Sequence, residues 1–304
     1  MADPRLSVVI VTYNSVSEID TCLSSLYAEL QGRQADVVVI DNASTDRTAE
    51  HVAEHWPQVR LFAEPTNLGF AGANNIGLAA AAGDCILLLN PDTVIQPGAV
   101  GQLLSALERH PQAGIVGPKL LNPDGSLQPS CRDFPSLRGD LIGMTELYRL
   151  SFIRQLFGKR IVSLGDHSQS RRVDWLSGAC LFVRQAAAEP VGKMDEGFFM
   201  YSEEMEWQYR MAQRGWEAWY EPAARVTHIG GASTAPLAGR RILWQYRSIW
   251  RFYHLYRSRS QRLLLHLVVW AATLPKILVL ALISRGSPRR RELLHAFWRV
   301  LWLG

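Results

Sequence analysis

"CILLLNPDTVIQPG" runs from Cys85 to Gly98. Cys85, Ile86, Leu87, Leu88 and Leu89 form an unbroken apolar run of strand length, and Asn90, Pro91 and Asp92 follow without a linker. Short apolar runs of this kind suit strands buried on both faces of a helix-covered parallel sheet. A carboxylate, Asp92, is thereby left at the carboxyl end of a core strand. That edge is where open parallel sheets bind their ligands.

Similar runs lie on either side. "LSVVIVTY" (6–13), "DVVVID" (36–41), "VRLFA" (59–63) and "GIVGPKLL" (114–121) are short, apolar and bounded by polar or turn residues. Helical patterns near 16–31, 45–55, 71–82 and 97–109 separate them. The alternation predicts an α/β fold with a mainly parallel central sheet. Pro97 suits a first helical turn, and Ser44 or Thr45 is expected to cap the helix after the second strand. Near 129–172 the alternation is lost, which marks a variable insertion. "VDWLSGACLFV" (173–183) reads as one strand, "EEMEWQYRMAQRG" (203–215) as a helix stopped by Gly215, and "RVTHIGG" (225–231) as a last short strand.

The chain has 304 residues, 48% of them hydrophobic, which supports a full core and excludes a disordered or fibrous protein. Its four cysteines are widely spaced with no CxxC pair, a usage that fits reduced thiols. "MADPRLSVVIVTYN" enters a strand without the basic start of a signal peptide, so the expected location is the cytoplasmic side. Charge is divided sharply. Residues 1–221 carry 18 Lys and Arg against 27 acids, whereas residues 222–304 carry 14 against one.

Polar residues gather at three strand ends: Thr12, Tyr13 and Asn14; Asp41 and Asn42; Asn90 and Asp92. Any one of them suits a turn or cap, but the coincidence of three points to a ligand. Asp41 can accept a hydrogen bond from the imide of a uracil or thymine ring, and Thr12 with the backbone near Tyr13 can complete a base pocket. Asp92 can hold Mg²⁺ or Mn²⁺ against a diphosphate, or cap a helix ahead of "TVIQPG"; the pattern fits both. "NLGFAGANNIG" (67–77) has glycines at 69, 72 and 77. It lacks the GxGxxG spacing and follows the third strand, which disfavours a nicotinamide-cofactor fold.

"MDEGFFMYSEEMEWQYR" (194–210) places Glu203, Glu204 and Glu206 at a helix start beside Phe198, Phe199 and Tyr201. The helix dipole favours acids there whatever their role. A glutamate walled by aromatic rings can also have a raised pKa and act as a general base. His228 lies at another strand end, near Gly230 and Gly231, and fits either a packing residue or a ligand.

Taken in order, "VTYN", "VVIDNAST", "NLGFAGANNIG", "LLLNPD", "WLSGA", "FFMYSEEMEW" and "HIGGAS" resemble the inverting glycosyltransferases of family 2, in particular their rhamnosyltransferase-like branch, over about residues 5–235. The resemblance implies a GT-A fold over 1–235, with a donor-nucleotide half (1–125) and an acceptor and catalytic half (126–235). It implies that Thr12, Tyr13, Asn14, Asp41, Asn42, Asn67, Gly69, Asn74, Asn90 and Asp92 bind the donor. Asp92 matches the metal-binding acid of the DxD-type element, and His228 a histidine that can join the metal. Glu204 matches the general base, with Glu203 as a possible substitute, while Trp175, Ser177, Gly178 and Tyr201 fall where the acceptor is expected. Two departures stand out: Asn90-Pro91-Asp92 offers one acid rather than two, and Glu203-Glu204 replaces the usual Glu-Asp pair.

By that likeness the cofactor is Mg²⁺ or Mn²⁺ and the donor a nucleotide-diphospho-sugar, with dTDP-L-rhamnose favoured over UDP-hexose or UDP-galactofuranose. The acceptor is a glycan or polyprenyl-diphosphate-linked glycan of bacterial cell-surface polysaccharide synthesis. A non-catalytic sugar-nucleotide-binding subunit is the alternative. The tail, 236–304, is expected to be helical. Seven arginines alternate with aromatic rings in 240–262, which suits an anionic membrane surface at the cytoplasmic face of the inner membrane. "LLLHLVVWAATLPKILVLALI" (263–283) is long enough to span a bilayer, but His266, Pro275 and Lys276 suit a re-entrant or buried segment equally. The adjoining apolar run argues against nucleic acid as the partner.

Overall fold

The computed structural model describes residues 5–146, 167–230, 238–283 and 287–303. In chain order the first elements are β1 (Leu6–Thr12), α1 (Ile19–Glu29), β2 (Ala35–Asp41), α2 (Thr48–His55), β3 (Arg60–Ala63), α3 (Gly69–Ala80) and β4 (Cys85–Leu89). Then come β5 (Thr93–Ile95), α4 (Ala99–Arg109), β6 (Ala113–Leu121), β7 (Leu127–Gln128), β8 (Cys131–Arg132), α5 (Leu137–Met144), β9 (Arg171–Val173), β10 (Trp175–Leu176) and β11 (Cys180–Arg184). The remainder is α6 (Gln185–Ala188), α7 (Glu203–Ala212), β12 (Glu217–His228), α8 (Ala238–Tyr256), α9 (Arg259–Ile283) and α10 (Pro288–Val300).

The main sheet runs β3-β2-β1-β4-β11-β6-β12-β5. Its first four strands are parallel, with Val8 opposite Val37 and Leu87. β11 lies antiparallel between β4 and β6, and β12 returns parallel to β6. The parallel block is apolar on both faces because both are covered. Cys22, Leu23 and Leu26 of α1, with Leu103 and Leu107 of α4, pack on one face; α3 lies on the other, against Val38 and Ile40.

α3 approaches the sheet so closely that a Cβ at Gly77 would meet Val9 Cγ1 at 2.1 Å. Glycine here is a packing requirement. Gly77→Ala is expected to lower unfolding stability by about 1–3 kcal/mol, the usual cost of overpacking a filled core. Urea denaturation reads this directly, and an unchanged midpoint would contradict the tight fit.

Three local expectations are corrected. Neither Ser44 nor Thr45 caps α2; the N-cap is Arg47 in left-handed backbone, Asp46 Oδ1 accepts from the Thr48 N–H, and the Ser44 hydroxyl accepts from the Asn14 N–H. The 173–183 run is not one strand. Trp175 and Leu176 pair with β8, Cys180 onward pairs with β4, and the chain breaks at 177–179 between the two sheets. β12 begins at Glu217, far ahead of Arg225, because Pro222 is absorbed by a register shift between Glu221 and Arg225. Of the insertion near 129–172, residues 147–166 lie outside the described residues.

The chain divides into two compact units. One comprises Met1–Arg132, Asp166–Phe199 and Glu203–Ser233 and holds the whole sheet. The other comprises Asp133–Gly165, Met200–Ser202 and Thr234–Gly304 and holds α5, α8, α9 and α10.

Candidate active site

At the end of β4, Asp92 has partners from β12 and the turn after it. Asp92 Oδ1 lies 3.3 Å from His228 Nε2, and Asp92 Oδ2 accepts from the Gly230 N–H at 3.0 Å. β12 delivers His228 there by pairing antiparallel with β5, opposite Thr93. Burial works against charge on Asp92, but the His228 contact and the Gly230 N–H outweigh it and hold the carboxyl below its ordinary pKa. Asn90 Nδ2 is 3.3 Å from the same Nε2.

On the far side of the ring, Gln128 Oε1 lies 2.6 Å from Nδ1 while Gln128 Nε2 donates to the His228 and Asn122 carbonyl oxygens. An amide oxygen only accepts, so the Nδ1 N–H donates to Gln128 and the ring is oriented with Nε2 toward Asp92. One carboxylate and one imidazole nitrogen converge. Among the described residues no group of three His, Cys, Asp or Glu converges elsewhere. Such a pair fits a divalent cation that takes its remaining ligands from water and phosphate oxygens.

At the ends of β1 and β2, Thr12 Oγ1 donates to Asp41 Oδ1 at 3.0 Å and the Ser44 N–H donates to Asp41 Oδ2 at 3.0 Å. Asn14, at φ 52°, accepts from the Thr45 N–H and so closes the 41–45 turn onto β1. Asn42 grips the glycine-containing loop: its Nδ2 donates to Asn67 Oδ1 and the Gly69 carbonyl, and its Oδ1 accepts from the Leu68 N–H. Gly69 is required by shape, since φ is +72° and a Cβ would come within 2.4 Å of the Phe199 carbonyl oxygen. Asn74 is buried and donates to the Phe70 carbonyl within α3. Tyr13 opens the turn, with its N–H donating to Ser15 Oγ.

The glutamates open α7. Glu203 is buried, and burial together with the neighbouring Glu204 pushes its pKa well up. Glu204 is also raised by burial, but the Gly178 N–H at 3.4 Å and the Arg132 charge pull it back. Both shifts are upward, and Glu204 has the nearer compensation, from the Gly178 N–H and the Arg132 charge. Oε2 of each glutamate is enclosed without a hydrogen-bond partner. Glu206, by contrast, is tied to Arg210 at 2.8 Å and serves packing.

The 177–179 break connects these parts. The Asn90 N–H donates to the Ala179 carbonyl at 2.9 Å, and Gly178 reaches Glu204, so β4 and α7 meet across two residues. The Ser177 N–H donates to the Ser130 carbonyl, and the Arg132 guanidinium lies 5.6 Å from the Trp175 ring centroid. Tyr201, at φ 71°, belongs to the helical unit.

Three contributors escape a reading of the sequence. Gln128 fixes the His228 tautomer across 100 positions of chain. Gln208 clasps Leu176 through both N–H and carbonyl, at 2.9 and 2.8 Å, holding β10 against α7. Arg132 lends its charge to Glu204. Only Gln208 leaves a trace in sequence, one helical turn after Glu204 and donating to its carbonyl.

Comparison with known proteins gives the same picture. The chain is 35% identical over 259 residues to the N-acetylglucosaminyl-diphospho-decaprenol L-rhamnosyltransferase of Mycobacterium tuberculosis (strain H37Rv), covering 81% of this chain and 83% of that one. Two solved structures share the fold. The mannosyltransferase PcManGT from Pyrobaculum calidifontis, in complex with GDP-Man and Mn²⁺, superposes with a TM-score of 0.57 at 20% identity, over 99% of this chain and 86% of that one. GalNAc-T7 with UDP, GalNAc and Mn²⁺ superposes with a TM-score of 0.62 at 16% identity, over 98% of this chain; the match spans 54% of that protein. The expected GT-A architecture, α/β with a helical tail, is thereby established. Residues 7–161 match the model of glycosyl transferase family 2, and the chain belongs to that family of transferases.

Proposed function

We propose that the protein transfers L-rhamnose, with inversion, from dTDP-L-rhamnose to a sugar on a polyprenyl-diphosphate carrier, at the cytoplasmic face of the inner membrane. The observation that carries this reading is the likeness, over four fifths of both chains, to an enzyme named for L-rhamnose transfer to a decaprenol-linked N-acetylglucosamine.

In this reading Thr12 and Asp41 receive the nucleobase, and Asn14, Asn42, Asn67, Gly69, Asn74 and Asn90 shape the donor cleft. Asp92 Oδ1 and His228 Nε2 would hold Mg²⁺ or Mn²⁺. Bound there, the cation supplies positive charge against the diphosphate. Glu204 takes the proton of the acceptor hydroxyl as that oxygen bonds to the anomeric carbon. The bond from that carbon to the diphosphate oxygen breaks, and its electron pair leaves with the nucleoside diphosphate. Trp175, Ser177 and Gly178 form the acceptor side.

The test is turnover by the purified full chain with Mn²⁺ or Mg²⁺. Polyprenyl-diphospho-N-acetylglucosamine is offered with dTDP-L-rhamnose, UDP-galactofuranose or UDP-glucose, and the product is read by mass spectrometry and NMR of the new linkage. Rhamnose transfer with inverted configuration is expected. Transfer only from a UDP-sugar, retention of configuration, or binding without turnover would each overturn the reading.

Gln128 provides a second check. Gln128→Leu removes the acceptor that fixes the His228 tautomer, and loss of such an outer partner commonly costs about 10–100-fold in metal affinity. The half-saturating metal concentration is expected to rise by that factor with maximal turnover largely kept. An unmoved metal titration would refute the role.

A further inference from the structure

Helix α9 is apolar on the side that faces solvent as well as on the side it buries. Leu263, Leu267, Trp270, Leu274, Leu278 and Leu282 recur every three or four positions along one side, and their exposure runs from 43% at Leu274 to 82% at Leu282. Its polar residues turn the other way. The His266 ring lies 4.2 Å from the Trp250 ring, Thr273 is fully buried, and Lys276 Nζ donates to the Met144 carbonyl at 2.7 Å with Phe297 beneath it. A helix in water buries its apolar side and exposes a polar one. α9 buries Leu265, Val269, Ala272 and Ile277 and still exposes a second, leucine-rich stripe that runs the length of the helix.

We infer that α9 is an in-plane membrane seat: its leucine stripe sinks into one leaflet of an anionic bilayer, and the helix does not cross. Length alone permits crossing, since 25 residues make a helix of about 37 Å against a hydrocarbon core of about 30 Å. Its packing within the helical unit does not. α5, α8 and α10 are packed on α9. Crossing would carry into hydrocarbon the exposed arginines of those helices, Arg240, Arg241 and Arg247 on α8 and Arg289, Arg290 and Arg291 on α10, a placement bilayers resist.

Lying flat keeps those arginines at the headgroups. No acid occurs between Pro222 and Arg291 to oppose an anionic surface. Trp270, Trp298 and Trp302 are exposed, and indoles favour the interface. This inference rests on the helical unit alone and is independent of which sugar the enzyme moves.

The experiment uses the full chain. Flotation with phosphatidylglycerol–phosphatidylethanolamine vesicles is expected to carry the protein, and pure phosphatidylcholine vesicles to carry much less. Leu267→Glu combined with Leu278→Glu alters two side chains that are 61% and 66% exposed. The bound fraction is expected to fall about tenfold or more at limiting lipid, since charges on a buried apolar face are strongly disfavoured. Thermal unfolding and donor turnover of the pair variant report that the fold survives. Unchanged flotation would overturn the inference, as would a parent that binds no vesicles and instead sediments as a dimer that the pair variant loses.

Orientation is read separately. The native cysteines are all buried, so Ser260→Cys, in the first turn of α9, and Arg289→Cys, in the first turn of α10 beyond the other end of α9, report alone. With an impermeant maleimide both are expected to stay unlabelled in intact spheroplasts and to label in lysed ones. Labelling of one end from outside would establish crossing and sink the proposal. A wrong choice of sugar would abolish turnover of the parent protein yet leave flotation and labelling as described.

Discussion

Glu204→Gln is expected to cut turnover by roughly 10²-fold or more, the usual contribution of a general base, with donor binding kept. Glutamine preserves the shape and can still accept from the Gly178 N–H, so what is lost is the ability to take a proton. The pH dependence separates the two glutamates. Both are raised, Glu203 further, because it feels burial and the Glu204 charge while Glu204 is relieved by Gly178 and Arg132.

Turnover of the parent enzyme should therefore rise with pH as Glu204 loses its proton, at a pH above the ordinary carboxylate range. Glu203→Gln should keep that acid limb and most of the turnover. It should also change stability in a defined direction. A carboxyl whose folded pKa is raised stabilises the fold at low pH, and that contribution is lost as pH rises through the folded pKa. The parent melting temperature should fall over that interval, and Glu203→Gln should reduce the fall, leaving the smaller part that Glu204 contributes. Parent-like turnover in Glu204→Gln, or collapse of turnover in Glu203→Gln alone, would reassign the base.

Asp92→Ala should have an effect of similar size through a different quantity. At metal concentrations that saturate the parent, turnover is expected to drop roughly 10²-fold or more, because loss of preorganised charge at a leaving group costs that much. Titration calorimetry of the nucleoside diphosphate with and without Mn²⁺ gives the sharper reading. The parent should show tighter binding with metal, and the variant should show no metal-dependent increment. His228→Ala should reproduce the phenotype, since His228 Nε2 and Asp92 Oδ1 converge at 3.3 Å. A metal titration identical to the parent's would remove Asp92 from the role.

The strand ends of the first half were legible because they are marked by abrupt changes from apolar to polar residues. Cys85–Leu89 and Ala35–Asp41 are such segments, and the residues that follow them are where the structure gathers Asp41, Asn42, Asn90 and Asp92. The acceptor half was harder to read. Its strands are two to five residues long, and each is defined by a partner distant in sequence: β10 by β8, β11 by β4. Pro222 hid the first half of β12, because a proline in mid-strand argues for a loop until the compensating bulge is seen. Gln128 was invisible for the same reason, and Gln208 left only its spacing from Glu204, since an uncharged amide has no pattern of its own and gains meaning only from what it faces.

The break at 177–179 has a consequence for regiochemistry. Main-chain atoms, not side-chain rotamers, connect the strand that bears Asn90 to the carboxylate of Glu204. That spacing works as a fixed gauge. A relative that attaches its sugar at another hydroxyl would need to tilt or shift the incoming carrier, because exchanging side chains along 177–179 leaves the gauge unaltered. Attempts to redirect the linkage should therefore mutate the walls that orient the carrier and leave the gauge intact.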